Sequence, residues 1–485
     1  MFQRHISGGL RGRAALVMTK GAGSGLVVFL AALAGATAAG TTQAKLGAKP
    51  ALLLMGGVAA AGLVVVFAHA RQHVLLAWPV LTGAAYAFVQ EPRGNPVVTF
   101  DRIWVFGLLA VIAVAERSPT AHPARRFFVR CLMAFIAVWC FRALTSSDLN
   151  LSLAQWVDAL VLPLILFTAT RLYSRTPGQR EQIAGALVLG GLVLAGIGIA
   201  EHFIGFELAT RSGGALRVES ELATVRISGP YPVPEPYALS LLMCYAATLY
   251  WTQLRAGGRL LAGSSIAAIE LAAIGFTLFR AAWIGAAVIT FVAIGIRRGR
   301  WMRAVCVGSI LAIFLLTGLS QIRHSTGLQE RVDNTDNVWG RLATYQQGVD
   351  MFRSHPLFGV GINRYHPVAE SLPPRVIKDI ESVTFAHSSY VLVLAEQGLF
   401  GFGPFLLLTF ASWRLIRALR RTPAVPDADV LGSAVLGAGF AYLVMSLTLT
   451  MIPYSPSNCF FAMLLGLVAG CLEDRSVTAE AVAPR

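Results

Sequence analysis

The sequence predicts an all-α polytopic membrane protein with about 12–14 transmembrane helices. Three observations carry this. Of 485 residues, 55% are hydrophobic and only 13% charged, too apolar for a soluble chain of this size. Apolar runs of about 20 residues, each enough to cross a bilayer as a helix, recur along the whole length. Runs such as ALLLMGGVAAAGLVVVFA (51–68) have no polar face, which excludes a soluble α protein, whose helices need one. The net charge of +15 sits in short clusters between these runs: RLYSRTPGQR at 171–180, RRGRWMR at 297–303 and RLIRALRR at 414–421. That is the pattern of cytoplasmic loops rather than of a nucleic-acid-binding face. The base is arginine almost throughout, with four lysines in the chain.

In chain order, spans are expected near 22–40, 51–68, 74–90, 103–116, 127–144, 152–170, 182–204, 237–253, 260–279, 282–296, 303–320, 387–412, 429–451 and 457–471. The N-terminal run, with its basic head, reads as an uncleaved first span rather than a signal peptide, because 24–40 exceeds the usual apolar core of a leader. Arg4, Arg11, Arg13 and Lys20 put the N-terminus inside. Alternation then places the arginine clusters at 117–126, 171–180, 255–259, 297–303 and 414–421 inside as well, with Lys45 and Lys49 dissenting. Between Arg259 and Arg297 lie roughly 37 residues, roughly 56 Å as one helix against a hydrocarbon core of about 30 Å. The stretch must fold back near 278, which makes TLFRAAW an outer turn and puts Arg280 on the outer side. Six cysteines, at 131, 140, 244, 306, 459 and 471, lie in or beside apolar runs without any Cys-x-x-Cys pair. They read as small buried residues, neither metal ligands nor a disulfide framework.

Two polar segments, 205–236 and 321–386, fall outside on this topology. In the second, Trp339, Leu342, Tyr345, Val349 and Phe352 recur at three- to four-residue spacing. That predicts an amphipathic helix lying in the outer interface, ended by Pro356 and the Gly359–Gly361 pair. The chain thus divides into a bundle over 1–320 (about 11 spans), an external loop with its interfacial helix over 321–386, C-terminal spans over 387–471 and an inner tail over 472–485.

Arg226, Arg280 and His387 all fall on the outer side, each beside a span. Arginine there is costly without a partner, and its planar fork suits phosphate oxygens. Each has a plainer reading: Arg280 pairs with Glu270 or snorkels, Arg226 is a loop arginine, and His387 bonds backbone at a helix start. Glu396, nine residues into a span, marks either structural pairing or function. Tyr390 shares the helix face of His387.

The segment GRLATYQQGVDMFRSHPLFGVGINRYH (340–366), a spacer, and AHSSYVLVLAEQGLFGFGPF (386–405) resemble the O-antigen ligase and O-antigen polymerase superfamily of bacterial envelope glycosyltransferases. His355, Pro356, Leu357, Gly359, Gly361 and Asn363 stand in its first element, and His387, Glu396, Gln397, Gly398 and Gly401 in its second. RISGPYPVPEPYA (226–238) and TLFRAAWIG (277–285) resemble the two upstream arginine motifs. The likeness covers roughly 130 residues in four patches. Ser388 stands where the family usually has Asn, and Phe279 where it commonly has Ser.

The resemblance implies an inner-membrane, multi-pass glycosyltransferase whose site faces the periplasm, so that 321–386 is a periplasmic loop. A glycan on an undecaprenyl-diphosphate carrier would pass to an acceptor hydroxyl on a glycan, a lipid A core or a lipid-linked chain. His387 would be the general base, and Arg226 and Arg280 would clamp the diphosphate. Arg341, Tyr390, Glu396 and Asn363 are the expected substrate-binding residues, with no cofactor. The external segments hold no Asp-x-Asp pair; Asp333 and Asp336 are wrongly spaced, so no metal is expected. Ligase and polymerase, including an exopolysaccharide polymerase, share the donor half of the reaction and stay unresolved. A secondary transporter or lipid flippase is the alternative of another class, but it calls for paired broken helices in repeated halves, and none is visible.

Overall fold

A computed structural model describes residues 71–85, 90–91, 98–113, 122–204, 226–254, 258–295, 336–422, 425 and 427–473. The spans expected at 22–40, 51–68 and 303–320, Cys306, most of the 205–236 segment and most of the tail lie outside them. The chain divides into two compact units, 1–75 with 107–115 and 76–106 with 116–485. Of the first, the described parts are one end each of α1 (Arg71–Ala85) and α2 (Phe100–Ala113). Everything below concerns the second.

Its helices follow the apolar runs. After the two-residue strands β1 (Gln90–Glu91) and β2 (Val98–Thr99) come α3 (Pro123–Leu144), α4 (Leu149–Leu172, with a π turn at Val157–Val161), α5 (Pro177–Ile204), α6 (Pro234–Gln253), α7 (Gly258–Phe276) and α8 (Arg280–Thr290). The external segment contributes α9 (Asp336–Ser354), α10 (Tyr365–Ser371) and the hairpin β3 (Val376–Ile377) with β4 (Ile380–Glu381). The C-terminal part is α11 (Ser389–Arg420), α12 (Ala428–Thr448) and α13 (Ser455–Cys471). Five of these, α3, α4, α5, α11 and α12, are long and apolar enough to cross a membrane; α13 and most of α7 and α8 are shorter apolar helices. The expected fold-back falls at Thr277–Phe279, where Leu278 takes a left-handed φ of 52° and the chain turns directly into α8. None of the five described cysteines forms a disulfide.

Small residues bring the helices together, as packing inside a bilayer requires. Gly466 and Gly470 of α13 lie against Phe167–Ser174 at the end of α4. Gly285 of α8 faces Ala441 of α12, and Gly437 faces Ile289. These two contacts fix α8 and α12 as antiparallel neighbours. Extrapolated five residues along each helix, about 7.5 Å, the register sets Arg280 level with Ser446.

Helix α9 buries Gly340, Ala343, Thr344, Gln347, Gly348 and Met351, while Leu342 is exposed and Trp339, Tyr345, Val349 and Phe352 are half-buried. Its small-residue face packs on the bundle, with Gly348 against Val391 of α11. The large apolar stripe read in the sequence is left at the flank.

Candidate functional site

The end of α12 at Ser446 gathers three chain segments. The first brings His387. Ser388 donates its hydroxyl to the Ser446 carbonyl (3.2 Å). Ser389 donates backbone N–H and hydroxyl to the Leu449 carbonyl (both 3.1 Å) and accepts the Met451 N–H (2.8 Å). Tyr345 of α9 reaches across, its hydroxyl 2.6 Å from the Leu447 carbonyl and 3.1 Å from that of His387. His387 therefore sits on a fixed backbone just before α11 begins. Burial, and then the nearby Arg341 charge, hold its imidazole below its ordinary titration range.

The second segment carries Arg280, the first residue of α8, on the same level of α12. Its side chain is exposed, and among the described residues it forms no ion pair. In particular it does not pair with Glu270, which is buried in α7 and accepts the Thr248 hydroxyl at 3.1 Å.

The third is the turn at 226–230. Arg226 donates its Nε–H to the Thr277 carbonyl (3.2 Å), three residues before Arg280, and its Nη2 lies 3.8 Å from a Glu235 carboxylate oxygen. The Ile227 N–H reaches the Phe276 carbonyl at 3.5 Å. Arg226 and Arg280 thus flank one turn.

Behind His387 the chain forms a clasp. Gly398 takes φ 59° and ψ −157° inside α11, which breaks that helix. The two helical bonds that would join Leu399 and Phe400 to Ala395 and Glu396 are replaced by four bonds to the segment 356–361. The Leu399 and Phe400 N–H groups donate to the carbonyls of Pro356 (2.9 Å) and Leu357 (3.0 Å). The Ala395 and Glu396 carbonyls accept from Val360 and Gly361 (both 2.9 Å). Gly359, at φ +65°, has no room for a Cβ, which would meet the backbone of Glu396 and Gln397. The Glu396 carboxylate accepts the Tyr365 N–H (3.0 Å) and is bonded by the N–H groups of Asn363 and Arg364. The two N–H groups and two carbonyls released at this break are thus all paired, as a bilayer environment demands.

Residues 265–406, which span these elements from α7 to the first half of α11, match the O-antigen ligase family. No curated protein matches the chain. The match supports a membrane glycosyltransferase of the O-antigen ligase/polymerase type.

Within the matched residues, Arg280, Arg341 and His387 stand at one end of the bundle. Arg226, N-terminal to the matched residues, joins them through Thr277. Glu396 is 3% exposed and its carboxylate is turned to the backbone N–H groups of 363–365. Asn363 occupies a left-handed turn (φ 59°), a conformation Asn tolerates, and reaches Ser152 at 3.5 Å. Tyr390 is turned into the bundle, its ring on Phe405 and its hydroxyl 3.4 Å from the Leu443 carbonyl. An apolar cavity of about 200 Å³, lined by Phe135, Phe405, Trp413 and Phe440 among others, lies between α3, α4 and α11–α13. No group of three or more potential metal ligands exists among the described residues. Sequence reasoning missed Glu235, beside Arg226, and Ser446, the anchor of Ser388. It placed Tyr345 only as an apolar stripe member. A Pro-Glu-Pro run beside an arginine motif was the available signal for Glu235.

Proposed function

We propose that the protein transfers a glycan from an undecaprenyl-diphosphate carrier to an acceptor hydroxyl, with the site on the periplasmic face of the inner membrane. The observation that supports this reading is that Arg280 starts α8 level with Ser446, to which the neighbour of His387 bonds, and that Arg226 bonds the turn just before Arg280. In the reaction the acceptor oxygen attacks the anomeric carbon. The bond from that carbon to the phosphate oxygen breaks, and the electron pair leaves with the diphosphate. His387 takes the hydroxyl proton. A group whose pKa is held below about 6.5 is unprotonated at neutral pH and ready for that role. Arg226 and Arg280 supply fixed positive charge where negative charge develops on the leaving group, which leaves no step needing a metal. Burial, helped by Arg341, keeps the imidazole neutral, and Arg341 offers a further phosphate contact. The apolar cavity has the chemistry of an isoprenoid tail, and α9 with its loop shields the reacting atoms from water.

The test incubates purified protein with a lipid-diphosphate glycan and candidate acceptors, with and without EDTA, alongside His387→Ala, Arg226→Ala and Arg280→Ala. Loss of transfer in all three, with EDTA harmless, supports the reading. Full activity in His387→Ala removes the base, and a divalent-metal requirement removes the arginine clamp.

A further inference from the structure

The turn that carries Arg226 has no regular secondary structure, so its backbone N–H groups need acceptors from elsewhere. One side chain supplies them. Glu201, in the last turn of α5, is 2% exposed. It accepts the Ser228 N–H on both oxygens (3.2 and 3.1 Å) and the Gly229 N–H on Oε2 (2.6 Å). On the opposite side, Tyr237 of α6 packs under Gly229, which has φ +57° and no room for a Cβ. The Tyr237 hydroxyl is fixed to the Leu194 carbonyl of α5 at 2.9 Å. The turn is thereby pinned between α5 and α6 two residues from Arg226.

We propose that Glu201 is a positioning residue for Arg226: by holding the Ser228 and Gly229 N–H groups it sets where the guanidinium meets the donor's diphosphate. The role rests on the arginine clamp proposed above. A carboxylate suits it because two N–H donors converge on two oxygens. Glutamine would present one oxygen and turn an NH₂ toward an N–H. Charge-assisted bonds of this kind are about twice as strong as neutral ones, which lets one side chain fix a turn.

Two measurements test it. The first is affinity for farnesyl diphosphate in the wild-type protein, Glu201→Gln, Arg226→Ala and the double variant. Expected is a loss of about tenfold for Glu201→Gln, and no further loss when it is added to Arg226→Ala, since residues acting through one another are not additive. Glu201→Asp should recover part of the binding. The second is hydrogen exchange of the peptide holding Ser228 and Gly229, expected to quicken about tenfold in Glu201→Gln, as bonds worth about 1.4 kcal/mol would require. Unchanged exchange, unchanged affinity, or a loss that adds to that of Arg226→Ala overturns the role of Glu201 alone. Failure of the wild-type protein to bind farnesyl diphosphate overturns the clamp itself, and this role with it.

Discussion

The two ends of α12 treat arginine in opposite ways. Next to Asp427, just before the helix begins, Arg180 is fully buried and forms a two-pronged pair with that carboxylate (2.8 and 2.7 Å), which also accepts the Tyr250 hydroxyl at 2.6 Å. Close to Glu473, past the end of α13, Arg125, Arg171 and Arg175 converge on one carboxylate at 2.6–3.7 Å. At the Ser446 end Arg280 is exposed without an ion-pair partner among the described residues, while Arg226 is half-buried with its Nη2 3.8 Å from Glu235. Charge neutralised inside the fold holds helices together. Charge left exposed, as at Arg280, is available to something that arrives.

The comparison is broken most decisively by exchanging the roles. His387→Ala should lower the transfer rate about 10²–10⁴-fold, the usual contribution of a general base, and Arg280→Ala about 10²–10³-fold. Both should leave stability within about 0.5 kcal/mol of wild type, as exposed or half-exposed positions do. Transfer rate and unfolding midpoint measured on one preparation check this. Arg180→Ala should do the reverse. It leaves Asp427 buried without its partner, a loss of about 3–5 kcal/mol in stability, visible as a fall in midpoint in detergent. If Arg280→Ala proves as destabilising as Arg180→Ala, the distinction between the two ends collapses.

Gly359→Ala probes the structure between them. A Cβ there meets backbone and the residue must hold a left-handed φ, so about 2–4 kcal/mol of stability should be lost, with transfer falling only as folded protein falls. The smallest effect sharpens the electrostatics. Since the His387 imidazole titrates below its ordinary value in the folded protein, it stays an active base as pH drops past about 6.5, and the acid limb of the rate profile should lie below that. The unfolded imidazole takes its proton first, so stability should also decline as pH falls through this window. Arg341→Ala removes one of the two causes and should move the acid limb toward higher pH.

Much of this was legible in the chain. Spans follow from the length of apolar runs, and the fold-back at 277–279 follows from helix length against bilayer thickness. The four motif patches located Arg226, Arg280 and His387. What could not be read was what depends on contacts distant in sequence. Residues 387–412 read as one continuous span, because the break at Gly398 is visible only once segment 356–361 is known to fill it. Glu396 resembles a functional intramembrane acid, since its backbone partners lie more than thirty residues away. In α9 the eye follows Trp339 and Phe352, whereas the packed face belongs to Gly340, Ala343 and Gly348, which are small enough to let backbones approach.

The break in α11 also bears on the order of biosynthesis. Residues 395–400 entering a bilayer alone would expose two amide hydrogens and two carbonyls to hydrocarbon, each at a cost of several kcal/mol. The strand that satisfies them, 356–361, precedes them in the chain and has already left the ribosome when they emerge. Sealing of this broken span therefore requires closure of the loop before it, and a protein lacking residues 356–361 would leave its own membrane helix unsealed.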